Sequence, residues 1–315
     1  MSRRPLLVAV LGPTATGKSA LGLALAARYA GEIVSCDSTA VYRGFDIGTD
    51  KVPPDERRGI PHHLVDVADP TEEYSAARYA REAEAAIRAI TARGRLPVLV
   101  GGTGFYYRAL TRGLFPGPGR DAELRARLGR LARRRGPERL HRLLAHVDPA
   151  SARRIQPRDE VRIVRALEVY YATGRPLTEH FARTRAPLAD YAVVPIGLRL
   201  PGPVLADRIA RRVDRQFARG IVDEVERLLA AGVPETAHPF RGLVYRQVLA
   251  LVRGLRGERE IRDEIVRENR RYARRQLIWF RKEPGLHWIT GAGEAPDTLA
   301  EAERLLAPAL EAVRP

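Results

Sequence analysis

Short apolar runs punctuate the first hundred positions. Residues 6–11 (LLVAVL), 33–36 (IVSC) and 97–100 (PVLV) stand between glycine, proline or polar residues. Runs that stay apolar, rather than alternating, suit strands covered on both faces. The segments between them, including 19–29 and 76–93, have helical character. Strand, loop, helix and strand in that order predict the start of a doubly wound parallel α/β sheet. Two later runs, 192–200 and 286–290, are further strand candidates. The start MSRRPLLVAVLG has the outline of a signal peptide, but it lacks a small-residue cleavage site and flows straight into a glycine-rich loop. A buried first strand is therefore expected. No run of about 18 apolar residues occurs, so no membrane span is expected.

The pattern breaks at Pro116, Gly117, Pro118 and Gly119, which read as a linker. The stretch after it is helical in character with little strand signal. This predicts a core made of residues 1–116 and 187–315, interrupted by a helical insertion at 117–186. A second helical block covers 204–251, and a long helix covers 258–281. On that helix Ile265, Tyr272 and Trp279 recur every seven residues and share a face suited to core packing. Arg267, Arg270, Arg271 and Arg274 fall on another face.

The loop after the first strand carries the clearest chemistry. Gly12, Pro13, Thr14, Ala15, Thr16, Gly17, Lys18 and Ser19 fit the pattern G-x-x-x-x-G-K-[ST]. Such a loop turns its amides inward at a helix N-terminus and holds a diphosphate. Lys18 would neutralise phosphate oxygens, and the Ser19 hydroxyl could ligate Mg²⁺. The predicted fold class is thus α/β, a P-loop doubly wound sheet with a helical insertion and a helical C-terminal region. In such sheets the carboxyl ends of adjacent strands converge on one crevice. Asp37 ends the second run and would sit beside the loop, either as a turn former or as a general base. Gly101, Gly102 and Gly104 surround Thr103 after the next run, where they would let backbone approach an anion and complete a two-sided clamp. The loop alone leaves phosphoryl transfer, nucleotide hydrolysis and diphosphate release all open.

Charge narrows the partner. The 315 residues carry a formal net charge of +16, and only Lys18, Lys51 and Lys282 are lysine. Residues 120–185 hold 17 Arg against 8 acidic residues, and residues 241–282 hold 13 basic against 5 acidic. These two segments contain the whole excess. Such localisation points to a polyanion, with nucleic acid the commonest. A single cysteine, Cys36, excludes an internal disulfide framework and suits a cytoplasmic protein.

Several stretches together resemble tRNA dimethylallyltransferases, also called tRNA isopentenyltransferases. They are GPTATGKS, CDSTAVYRGFDIGTDK, GIPHHLVDV, LVGGTGFYYRAL, RDEVRIVRALEVYYATGRPLT, GIVDEVERLL and NRRYARRQLIWFRK, in order from about residue 8 to 283. The resemblance implies transfer of a dimethylallyl group from dimethylallyl diphosphate to the exocyclic amine of the adenosine just 3′ of the tRNA anticodon. The phosphate loop would then hold a leaving group. It implies Asp37 as base, with Lys18, Thr103, Mg²⁺ on Ser19 and one of Arg208 and Arg212 stabilising the diphosphate. It also places contacts with the anticodon stem-loop at five sets of positions. These are Asp37, Ser38, Thr39 and Ala40; Thr103 and Arg125; Val161, Arg162, Ile163, Val164 and Arg165; Arg241, Gly242, Leu243, Val244, Tyr245 and Arg246; and Arg274, Arg275, Gln276, Leu277, Ile278, Trp279, Phe280 and Arg281. Two positions depart from the family's habit: Ala40 stands where glutamine is usual, and Leu243-Val244-Tyr245 where Ile-Gly-Tyr is. The second change would replace a glycine that permits close approach to RNA. A monomer is expected. The alternatives are a P-loop kinase for a nucleotide or small metabolite, which the basic segments disfavour, and an RNA-binding protein without catalysis.

Overall fold

The computed structural model describes residues 4–115, 117–119, 121–182 and 184–313. Pro116 of the expected linker and Arg120 lie outside the described residues. Two compact units emerge, Met1–Thr111 with Leu188–Pro315, and Arg112–Pro187.

The first unit is built on six parallel strands. They are β1 (Leu6–Leu11), β2 (Gly31–Cys36), β3 (His62–His63), β4 (Leu96–Gly101), β5 (Ala192–Arg199) and β6 (His287–Thr290), in the order β3-β2-β4-β1-β5-β6. β1 is central, and both faces are covered. Leu6, Val8 and Val10 pack into one layer with α1 (Lys18–Arg28) and the last helix, while Leu7, Ala9 and Leu11 pack into the opposite layer. That double burial is the reason its sequence is apolar at every position. Five of the six strands were visible as apolar runs. β3 was not: it is two histidines long, too short and too polar to give a periodic signal.

The remaining helices of this unit are α2 (Ala76–Ala92) and α3 (Gly104–Arg112), then, after the second unit's α4 to α8, α9 (Gly202–Ala218), α10 (Ile221–Ala230), α11 (Tyr245–Val252), α12 (Glu258–Phe280) and α13 (Pro296–Val313). Ser75 caps α2 by accepting from the Arg78 amide, and Tyr79, Ala83, Ile87 and Ile90 form its buried stripe. The expected helical block over 204–251 is broken at Gly220, whose φ of +83° only glycine adopts readily, and again by a 3₁₀ turn at His238–Arg241. On α12 the buried stripe is Ile261, Ile265, Asn269, Ala273, Gln276 and Phe280. Tyr272 and Trp279 flank it half-buried, and Arg267, Arg270, Arg271 and Arg274 are exposed.

The second unit is helical throughout: α4 (Ala122–Arg135), α5 (Pro137–Val147), α6 (Pro149–Arg154), α7 (Glu160–Thr173) and α8 (Leu177–Ala182). Asp121, Asp148 and Asp159 cap α4, α6 and α7 through their carboxylates. Leu124, Leu128, Leu140, Leu144, Ile163 and Leu167 form its core.

Candidate active site

The phosphate loop leaves β1 and enters α1 through Gly17, whose φ is +88°. Lys18 is half-buried and donates from Nζ to the Pro13 carbonyl at 2.6 Å. Thr16 is fully buried and donates to the same carbonyl at 2.9 Å. Burial, and then the charge of Arg212, lower the Lys18 ammonium to about 8. Its preferred partner is therefore an anion that would restore the charge. Ser19 is exposed at the mouth of the loop.

Two arginines one helical turn apart on α9 both reach this loop. Arg208 Nε donates to the Ala15 carbonyl at 2.7 Å and also pairs with Glu294. Arg212 Nη1 donates to the Thr14 hydroxyl at 2.7 Å, and its Nε lies 3.5 Å from Asp50. Sequence reasoning named both arginines and missed their acidic partners. Glu294 was findable, because it follows β6 at the carboxyl edge of the sheet where crevice residues gather.

A cavity of about 1630 Å³ opens over the loop. Ala15, Gly17, Lys18 and Ser19 line it, and so do Asp37, Ser38, Thr39 and Ala40 at the end of β2. Asp37 uses one carboxylate oxygen for a turn. Its Oδ1 accepts from the Thr39 amide at 2.8 Å, the Thr39 hydroxyl at 2.7 Å and the Ala40 amide at 3.3 Å. Its Oδ2 has no hydrogen bond among those of the described residues. The turn-forming role and a free basic oxygen thus coexist in one side chain. Ala40 is buried at the edge of this cavity.

Thr103 does not line the cavity. Its hydroxyl accepts from the Ser38 amide at 3.0 Å, and its own amide donates to the Cys36 carbonyl at 3.1 Å. The expectation that this amide is open to an anion fails, because β2 already takes it. Thr103 is instead a strap that holds the Asp37 turn in place. The neighbouring glycines each leave no room for a side chain. A Cβ at Gly101 would meet the Cys36 carbonyl at 2.1 Å, at Gly102 the Gln276 side chain at 2.3 Å, and at Gly104 the Trp279 ring at 2.3 Å. Gly101 and Gly102 nevertheless border the same cavity as the phosphate loop.

The segment before α11 borders the same cavity through Arg241, Gly242, Leu243 and Val244, and the first turn of α11 does so through Arg246. Arg241 and Arg246 are exposed. Tyr245 is buried: its hydroxyl donates to Glu224 at 2.6 Å and accepts from the Gly48 amide at 3.0 Å. Val244 has φ +75° and ψ −62°, a region that favours glycine, and its side chain packs in the core. A glycine at this position would adopt these backbone angles readily.

On α12, Arg274, Arg275 and Ile278 are exposed, as is its C-cap Arg281, while Leu277 and Trp279 are half-buried, and Gln276 and Phe280 are buried. The second unit sorts in the same way. Val161 and Arg162 are exposed, while Ile163 and Val164 belong to the core. Arg125 forks onto Glu168 at 2.8 and 2.9 Å, and Arg165 reaches the same carboxylate at 2.7 Å. No group of three or more potential metal-binding side chains occurs among the described residues.

Comparison with known proteins settles the family. The model of a family described as IPP transferase matches residues 40–283. The chain belongs to the IPP transferase family. A tRNA dimethylallyltransferase of Solibacter usitatus is 50% identical over 292 residues, 92% of this chain and 94% of that protein. That of Thermomicrobium roseum is 47% identical over 310 residues, 97% of this chain and 93% of that protein. Among solved structures, the tRNA isopentenylpyrophosphate transferase of Bacillus halodurans aligns with a TM-score of 0.72 at 37% identity, covering 98% of this chain and 97% of that one. A eukaryotic dimethylallyltransferase acting on tRNA aligns with a TM-score of 0.82 at 26% identity, covering 99% of this chain and 80% of that one. These relatives favour a prenyltransferase over the P-loop kinase.

Proposed function

We propose that this IPP transferase moves a dimethylallyl group from dimethylallyl diphosphate to the exocyclic amine of the adenosine 3′ of a tRNA anticodon. The supporting observation is that one cavity presents the Lys18 loop and the open side of Asp37 together. An adenine amine is a poor nucleophile, since its lone pair is shared with the ring. Its attack on the prenyl carbon forms a C–N bond as the C–O bond to diphosphate breaks. The bonding electrons leave with the diphosphate oxygen. The amine becomes acidic as it attacks, and Asp37 Oδ2 accepts the proton. Such base assistance is typically worth about 10²–10⁴-fold. Lys18, Arg208 and Arg212 stabilise the charge that builds on the departing diphosphate.

The residues also fit a magnesium ion. The exposed Ser19 hydroxyl is a hard oxygen donor at the mouth of the loop, and Mg²⁺ usually takes one or two protein oxygens with phosphate oxygens and water. Bound there, it would offset diphosphate charge. The target base must leave its stack to enter the cavity. Exposed arginines on α12 and around Arg241 and Arg246 would hold the phosphate backbone, with binding that falls steeply with salt.

The test is transfer of labelled dimethylallyl from its diphosphate to unmodified tRNA with Mg²⁺ present. An Asp37→Ala variant should bind tRNA within about 2-fold of wild type and lose about 10²-fold or more in turnover. Turnover equal to wild type would remove Asp37 as the base. Absence of label in tRNA, with ATP consumed on a small acceptor, would restore the kinase.

A further inference from the structure

We infer that Gln276 is a positioning residue of the diphosphate site, acting through the backbone of Thr14. This rests on the function proposed above and adds a part to its site. Gln276 is only 7% exposed. Its Oε1 accepts from the Thr14 amide at 2.8 Å, and its Nε2 donates to the Gly102 carbonyl at 2.9 Å. One side chain therefore ties the phosphate loop after β1 to the turn after β4. The bridge uses one N–H and one carbonyl lone pair of the amide, at the border of the cavity over the loop.

The surroundings are shaped for this bridge. Gly102 lacks a side chain where a Cβ would stand 2.3 Å from Nε2. The Thr14 hydroxyl is held from the other side by Arg212 at 2.7 Å. Thr14 is thus fixed between a helix α9 arginine and a helix α12 amide, directly ahead of the residues that curl around an anion. An amide offers a donor and an acceptor at once, which the two backbone groups require. A carboxylate would keep the acceptor and set a lone pair against the Gly102 carbonyl. A leucine would leave a buried N–H and a buried C=O unpaired. The opposite face of α12 exposes Arg270, Arg271 and Arg274. A polyanion docked there would sit on the same rigid helix that sets the phosphate loop.

The experiment compares wild type, Gln276→Leu, Gln276→Glu and Gly102→Ala in the full chain. It measures kcat, KM for dimethylallyl diphosphate, Kd for tRNA alone, Kd for inorganic diphosphate by calorimetry, and the thermal midpoint. Gln276→Leu should raise the KM for dimethylallyl diphosphate and the diphosphate Kd by about 10-fold or more, with tRNA Kd within about 2-fold. Gln276→Glu, which keeps the acceptor for Thr14, should fall between it and wild type. Gly102→Ala, which displaces the amide without changing Gln276, should reproduce the KM rise even if Gln276→Leu does not fold. A weaker tRNA Kd with unchanged diphosphate binding would make Gln276 an RNA contact and overturn the inference. A lowered thermal midpoint with both binding constants unchanged would overturn it as well, since the role would then be structural alone. The diphosphate titration needs no transfer reaction. Failure of wild type to prenylate tRNA would therefore count against the proposed function, while the Gln276 comparison would still be read.

Discussion

Glu168 offers the sharpest quantitative test, because it sits at the centre of the second unit with no solvent exposure of its side chain. Burial by itself raises a carboxyl pKa. Here it is outweighed by hydrogen bonds from Arg125 and Arg165 and from the Asp121 amide, which bring the group down from an ordinary 4.5 to about 2. At 1.36 kcal/mol per pKa unit, that lowering corresponds to about 3 kcal/mol of stability. The sign is that of a depressed acid. The stabilisation is full above about pH 4.5, shrinks as pH falls, and is gone below about pH 2. Glu168→Gln keeps the shape and removes the charge. At pH 7 it should lose about 3 kcal/mol, and the gap to wild type should close on acidification towards pH 2. Hydrogen exchange of the α7 amides between pH 7 and pH 3 reads this unit within the intact protein. A gap that does not change with pH, or one below about 1 kcal/mol at pH 7, would refute the reasoning. The triad then would be no stronger than a surface ion pair.

Two further outcomes follow from the site. With the Lys18 ammonium lowered to about 8, diphosphate binding to the wild type should weaken as pH rises past about 8, by up to about 10-fold per unit. Lys18→Arg should show no such inflection, and a flat wild-type profile from pH 7 to 9 in calorimetry would contradict the assignment. At Val244, Gly normally makes a less stable variant than Ala, but φ +75° should reverse the order. Urea denaturation should find Val244→Gly more stable than Val244→Ala by about 1 kcal/mol, and the ordinary order would mean the backbone relaxes.

The sheet was legible because its strands are buried on both faces, which writes them as unbroken apolar runs. β3 escaped because two histidines at an edge carry no pattern. The phosphate loop and Asp37 were legible because their residue types are tied to one chemistry. The direction of a side chain was harder to read. Gln276 sits eleven positions, or three helical turns, beyond Ile265, on the stripe that α12 buries. That spacing was present in the sequence, yet an arginine-rich neighbourhood hid it. The glycines after β4 could not be assigned from sequence. A glycine records only that something leaves no room for a Cβ, or that φ is positive, and the cause lies in partners far along the chain.

The place of β1 in the sheet also has a consequence for biosynthesis. Its neighbour β4 emerges from the ribosome within the first 101 residues, but its other neighbour, β5, begins only at Ala192. The whole of Arg112–Pro187, whose contacts are local, is made in the interval. The nascent chain therefore carries a central apolar strand with one bare edge while the intervening helices are completed. Such an edge invites pairing with other chains. A pause or truncation before residue 199 would leave it open, so this protein's yield in a cell should depend on what shields that strand until β5 arrives.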